Sequence, residues 1–172
     1  MARPVFKDAR IFRETPSVYF ADAWVEGQNG LDVVTHYGPA ISPPYRDGVK
    51  QFYVHQHQTD YNRVVHGERV FELVYPDGEH YLVYLEPSTG ALEIPPGVYH
   101  RSVSCSSGSV LLNHAVRSPE YDENNEFHPR TPQDDEVLYT GFLSTPVLVG
   151  NVCRMQALAS TYDRPVVTYD RP

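Results

Sequence analysis

Pro and Gly break this chain at intervals too short for most helices, and the segments between them repeat with a period of two. Fifteen prolines and eleven glycines are spread over 172 residues. Residues 51–57, 61–65, 69–75, 80–85, 100–104 and 110–116 are short runs rich in Val, Tyr, Phe and Leu, each bounded by turn residues. Short strands at regular spacing close into a sandwich or barrel. Tyr75-Pro76-Asp77-Gly78-Glu79 is the clearest turn, with Pro and Gly where a type I hairpin turn favours them. Further strand-like pieces lie at 17–25 and 31–37. Only residues 152–160 read as a helix candidate. The expected class is an all-β antiparallel barrel with few helices.

Length allows one core: 172 residues can bury roughly 70% of the unfolded surface in one domain, so 1–172 reads as a single domain. Residues 38–48 form a proline-rich loop whose Pro39, Pro43, Pro44 and Gly48 exclude a central strand, and it is placed to cover a pocket. Residues 118–136 are acidic and read as a solvated loop, 142–149 as an edge strand or dimer arm, and 160–172 as a tail. A net charge of -8 with only 14 Lys and Arg argues against a nucleic-acid partner. No apolar run reaches membrane-span length, and Met-Ala-Arg-Pro does not read as a signal peptide, so a cytoplasmic protein is expected. Cys105 and Cys153 give neither a disulfide framework nor a thiolate zinc site.

The chemistry concentrates in His55-Gln56-His57 and in His100, 43 residues after His57. On a strand, i and i+2 share a face about 6 to 7 Å apart, so two imidazoles can converge on one ion and a third can join from a neighbouring strand. Asp60 is a candidate fourth ligand, a hydrogen-bond partner for an imidazole, or a cap for the turn. His114 interrupts an apolar strand and reads as a satisfied histidine, with a further ligand or a base as the alternative. His66 and His80 sit near turns and read as structural or exposed, while His36 and His128 carry no assigned role. Tyr53 shares the parity of His55 and His57, and Tyr99 adjoins His100. Either could offer a hydroxyl to a pocket that takes a small oxygenated or aromatic molecule. Arg63 and Arg69 are candidates for contacts to a substrate carboxylate or phosphate.

His55-x-His57 with Asp60 and Gly67 resembles the first motif of the cupin superfamily, and Pro95-x-Gly97-x-x-His100 resembles the second. The resemblance covers residues 51–116, the barrel core. Asp60 stands where the family usually has Glu, and Ser104 where it often has Asn. The resemblance implies a double-stranded β-helix, or jelly-roll barrel, with His55, His57, Asp60 and His100 around one divalent transition metal. Iron leads, with Zn, Ni or Mn as alternatives. It implies an enzyme acting on a small molecule, foremost a non-haem Fe(II) dioxygenase, with a non-oxidative cyclase, isomerase or lyase as alternative. A metal-free sugar-nucleotide epimerase or ketoisomerase would use His57 as base and Tyr53 or Tyr99 as acid. A non-catalytic ligand sensor is the remaining option. By analogy with the family a homodimer is expected, through the N-terminal strands or the C-terminal arm.

Overall fold

The computed structural model describes residues 8–23, 29–151 and Met155. Among the described residues nine strands and two short helices follow one another: β1 (Ile11–Glu14), β2 (Val18–Asp22), β3 (Leu31–His36), β4 (Ile41–Ser42), β5 (Gln58–Val74), β6 (His80–Leu85), β7 (Ala91–Ile94), β8 (Tyr99–Arg117), α1 (Glu123–Glu126), α2 (Glu136–Leu143) and β9 (Val147–Val149). The main path of the sheet runs β1-β2-β3-β8-β5-β6-β9, with β4 added to β8 and β7 to β5. All pairings are antiparallel except the parallel one between β6 and β9. This is the all-β jelly-roll architecture that the period-two pattern and the motifs anticipate.

Two long bent strands organise the molecule. β5 and β8 pair from Gln58 opposite Arg117 to Val74 opposite Tyr99, with irregularities around Val64 to Arg69. The sequence suggested one short strand on each side of Gly67 and of Gly108; the backbone instead continues through both glycines and bends there. Gly67 has φ +73°, and a Cβ on it would lie 2.3 Å from the Gly108 carbonyl oxygen. No other residue fits such a corner. The bulge also resets parity. Before it Gln58, Asp60, Asn62 and Val64 are buried while Arg63 and Val65 are exposed; after it Arg69, Phe71 and Leu73 continue the buried set.

Inside the barrel Val64, Phe71, Leu73, Val83, Leu85, Ile94, Val98 and Leu111 form the main core. The far half of β5 is buried on its outer face as well, because Phe52, Val74 and Tyr99 pack on Leu138 of α2, and Val70 and Tyr84 pack on Met155. The hairpin at 75–79 forms as expected, with Tyr75 donating to the Glu79 carbonyl at 2.8 Å. Residues 142–149 divide between elements: 142–143 end α2, and only Val147–Val149 forms the edge strand. The 38–48 loop carries the two-residue strand β4. Of the helix candidate 152–160 only Met155 falls within the described residues, and the 160–172 tail lies outside them. No helix among the described residues is long and apolar enough to cross a membrane.

Candidate metal centre and substrate cavity

The strand expected at 51–57 does not form. Tyr53 exchanges backbone hydrogen bonds with His100 at 2.9 and 2.8 Å, after which the chain leaves the sheet and bends at Gln56 and His57 before β5 begins. The i, i+2 rule requires an extended chain, so His55 and His57 diverge. His55 is buried, whereas His57 is exposed and lies outside the cluster formed by the other expected ligands. The pair that does face one cavity is Tyr53 and His55, their rings 6.5 Å apart and nearly parallel.

The acidic stretch fixes this loop. Expected as a solvated loop, it exposes most of its acids but also carries α1, capped by Asp122, and leads into α2, capped by Asp135. Glu126 is only 1% exposed. Its carboxylate accepts from the backbone N–H of Gln56 at 2.7 Å and of His57 at 3.3 Å, and its carbonyl accepts from His55 Nδ1 at 2.7 Å. Phe127 packs against the His55 ring at 5.1 Å. On the other side, the Gly97 N–H donates to the His55 carbonyl at 2.7 Å.

His55, Asp60 and His100 converge, all buried, with one donor atom of each within 4.8 Å of the others. Asp60 Oδ2 lies 3.5 Å from His55 Nε2 and 3.8 Å from His100 Nε2. The orientation of each side chain follows from its other contacts. His100 Nδ1 faces the Val98 carbonyl at 3.2 Å, as His55 Nδ1 faces that of Glu126. Both Nδ1 atoms therefore donate to carbonyls, and both Nε2 atoms turn toward Asp60. Asp60 Oδ1 accepts from Gln58 Nε2 at 2.7 Å and Asn113 Nδ2 at 3.1 Å. Gln58 is itself oriented by Arg117, whose Nε donates to its Oε1 at 2.9 Å. Oδ2 is left for the histidines. Burial, with the nearby His55, pulls His100 down to about 4 against the opposing effect of Asp60, which keeps it neutral at pH 7.

Two Nε2 atoms and a carboxylate oxygen facing one another need a cation between them, either a metal ion or a proton on one imidazole. Ligand atoms about 2.1 Å from a shared ion stand about 3 to 3.5 Å apart, so the observed spacing fits a metal after slight contraction. The carbonyl partners behind both imidazoles and the amides behind Asp60 are the outer contacts that orient metal ligands.

This cluster opens on a cavity of about 600 Å³. Tyr53, Asn62, Arg69, Phe71, Leu111 and Phe127 contribute to its wall. Burial raises the Tyr53 hydroxyl above its ordinary value despite the opposing charge of Arg13, so it stays protonated. Asp32, also on this wall, is raised to about 7 by burial, with Arg117 opposing. The remaining sequence candidates sit elsewhere. Tyr99 points to the opposite face of β8, packs with Phe52, Val74 and Leu138, and donates its hydroxyl to Asp135. Arg63 is exposed on the outer face of β5. His114 pairs across the outer face with Tyr61, ring centroids 6.4 Å apart. Sequence reasoning missed Gln58, Asn113 and Glu126. The alternation Gln58, Asp60, Asn62 was the available signal, since three polar residues on an inward parity must face something polar.

No family model matches the sequence, and no curated protein matches it. Solved structures do share the fold. Oxalate decarboxylase of Bacillus subtilis superposes with a TM-score of 0.53 at 16% identity, over 70% of this chain and 30% of that one. The capsular polysaccharide assembling protein CapF of Staphylococcus aureus gives 0.56 at 13% identity, over 73% and 32%. Oxalate decarboxylase of Lactobacillus farciminis, in a formate complex, gives 0.53 at 13% identity, over 90% and 39%. The chain spans about a third of the length of these proteins. With its jelly-roll topology and both motif segments meeting at one cavity, the chain has the fold of the cupin superfamily, with no individual family within it singled out.

Proposed function

We propose that this protein is a metal-dependent enzyme in which His55, Asp60 and His100 hold one divalent transition ion beside the cavity, and that it is a non-haem Fe(II) dioxygenase acting on a small oxygenated organic molecule. The carrying observation is the convergence of two imidazole Nε2 atoms and a carboxylate oxygen, all buried, at the wall of one cavity. Two imidazoles and one carboxylate with further positions open form the donor set of non-haem Fe(II) oxygenases. A metal in this fold is also supported by the Mn(II) centres described for the Bacillus subtilis oxalate decarboxylase. Zn, Ni or Mn in the same donor set would instead suit a non-oxidative cyclase, isomerase or lyase.

A bound ion supplies Lewis acidity and open positions for substrate and oxygen. The chain's own residues do the rest. Gln58 and Asn113 hold Asp60 so that only Oδ2 turns inward, and the Glu126 and Val98 carbonyls fix the imidazole tautomers. Phe127 covers the His55 ring against water. Tyr53 keeps its proton and offers a hydroxyl donor to a substrate oxygen. The metal-free epimerase reading has less support: His57, its proposed base, is exposed, and Tyr99 faces away from the cavity.

The test is anaerobic loading of the metal-stripped protein with Fe(II), Mn(II) or Zn(II), followed by oxygen uptake in the presence of a panel of hydroxy and keto acids. Oxygen consumption that requires Fe(II) and is lost in His100→Ala is the expected result. Turnover indifferent to oxygen would remove the dioxygenase assignment, and turnover in fully stripped protein would remove the metal.

A further inference from the structure

Arg69 is 1% exposed and lines the cavity, yet among the described residues no carboxylate pairs with it. Its Nε donates to Ser109 Oγ at 2.9 Å, and Nη2 donates to the Val34 carbonyl at 3.2 Å. Ser109 reaches Ser104 at 3.1 Å, and Ser104 reaches His36. These partners are neutral. Among the described residues Nη1 has no partner. The other arginines of the cavity differ: Arg10 is paired with Glu123, Arg117 is committed to Gln58 and the Asn29 carbonyl, and Arg13 lies toward Tyr53. Burial alone pulls Arg69 down to about 9, with no acid opposing, and the same uncompensated charge helps burial hold His36 at about 3.

A guanidinium stays charged even when buried, and leaving it without an anion is costly. Proteins ordinarily resolve this with an acid from their own chain. Here the barrel supplies hydroxyls and a carbonyl on two sides and leaves the third toward the cavity. On β5 and β8, Arg69 lies opposite Ser104 while His100 lies opposite Leu73, four residues further along. That separation is about 13 Å along the strands. Phe71 and Leu111 line the wall of the same cavity.

We propose that Arg69 is the anion anchor of the cavity and that the natural ligand is an organic acid, its carboxylate on Arg69 Nη1 and its apolar body against Phe71 and Leu111. The inference rests on the reading of this cavity as the substrate pocket; under that reading the opposite end of the same molecule reaches the His55, Asp60 and His100 cluster.

The experiment uses metal-stripped protein, so its outcome is independent of the metal. 3-Phenylpropionate and its neutral isostere 3-phenylpropionamide are titrated by calorimetry against the natural sequence, Arg69→Gln and His100→Ala. The acid is expected to bind at least tenfold tighter than the amide. That preference disappears in Arg69→Gln, checked for fold by circular dichroism, and persists in His100→Ala. Should Arg69→Gln fail to fold, the Arg69 Nε–H resonance of the natural protein is followed by NMR, and it shifts with the acid and not with the amide. Equal binding of acid and amide, a preference that survives Arg69→Gln, or an Arg69 resonance that does not move at saturating acid would overturn the proposal. Acid selectivity in a protein that never binds metal would keep the anchor and remove the metal reading instead.

Discussion

Asp60 Oδ1 is occupied by two side-chain amides, so Oδ2 is the anionic atom presented to His55 and His100. Asp60→Asn keeps the volume but removes the charge and sets an NH2 group against amide donors or imidazole lone pairs. It is predicted to weaken Mn(II) binding by at least about 100-fold, read by EPR titration, with the circular dichroism spectrum unchanged. Gln58→Leu acts one contact further out and is predicted to cost about 10- to 100-fold in metal affinity. That His55, Asp60 and His100 come together was anticipated by the resemblance of the two motifs and not by the i, i+2 spacing. The grouping of His57 with them was not reliable, because it assumed an extended backbone at a point where the chain bends. That bend is held by Glu126, about 70 positions away, and no local pattern announces such a contact.

At the scale of elements, glycine corners and a displaced acidic segment decide where the site sits. Gly67→Ala adds a Cβ to a backbone with φ +73° and 2.3 Å from a carbonyl oxygen. A loss of about 2 to 4 kcal/mol is expected in urea unfolding, the range of backbone-strain and overpacking mutations. The sequence marked these glycines as turns between strands; that β5 and β8 would pair on through them is a property of the long-range register. Glu126→Gln keeps the shape of the side chain and loses the charge that strengthens two backbone hydrogen bonds. It is predicted to cost about 1 to 3 kcal/mol in thermal unfolding and to weaken metal binding, since the His55 loop loosens with it. A charge run normally lies in water, and here five of the other acids, Glu120, Asp122, Glu123, Asp134 and Glu136, conform to that rule, while Glu126 is drawn inward by backbone N–H groups of the loop.

Across the whole molecule, a second buried charge cluster on the outer face of the sheet sets the response to acid. Burial alone would raise Glu72, but the His80 hydrogen bond and the charges of Lys50 and Arg101 outweigh it and hold the carboxyl at about 2, against an ordinary 4.5. A depressed carboxylate stabilises the fold above its unfolded value and loses that contribution as pH falls from about 4.5 toward 2, a term on the order of 3 kcal/mol. Glu72→Gln is therefore predicted to be less stable than the natural protein at pH 7, with the difference shrinking below pH 4.5 in denaturant titrations. The barrel that holds this cluster on one face holds the His55, Asp60 and His100 donors on the other, and the metal proposed for them is tested directly by elemental analysis after anaerobic loading with Fe(II) and desalting. One equivalent per chain is predicted in the natural protein and in His57→Ala, and less than a tenth of an equivalent in His55→Ala and His100→Ala. Loss of the metal in His57→Ala, or its retention in His100→Ala, would contradict the site described.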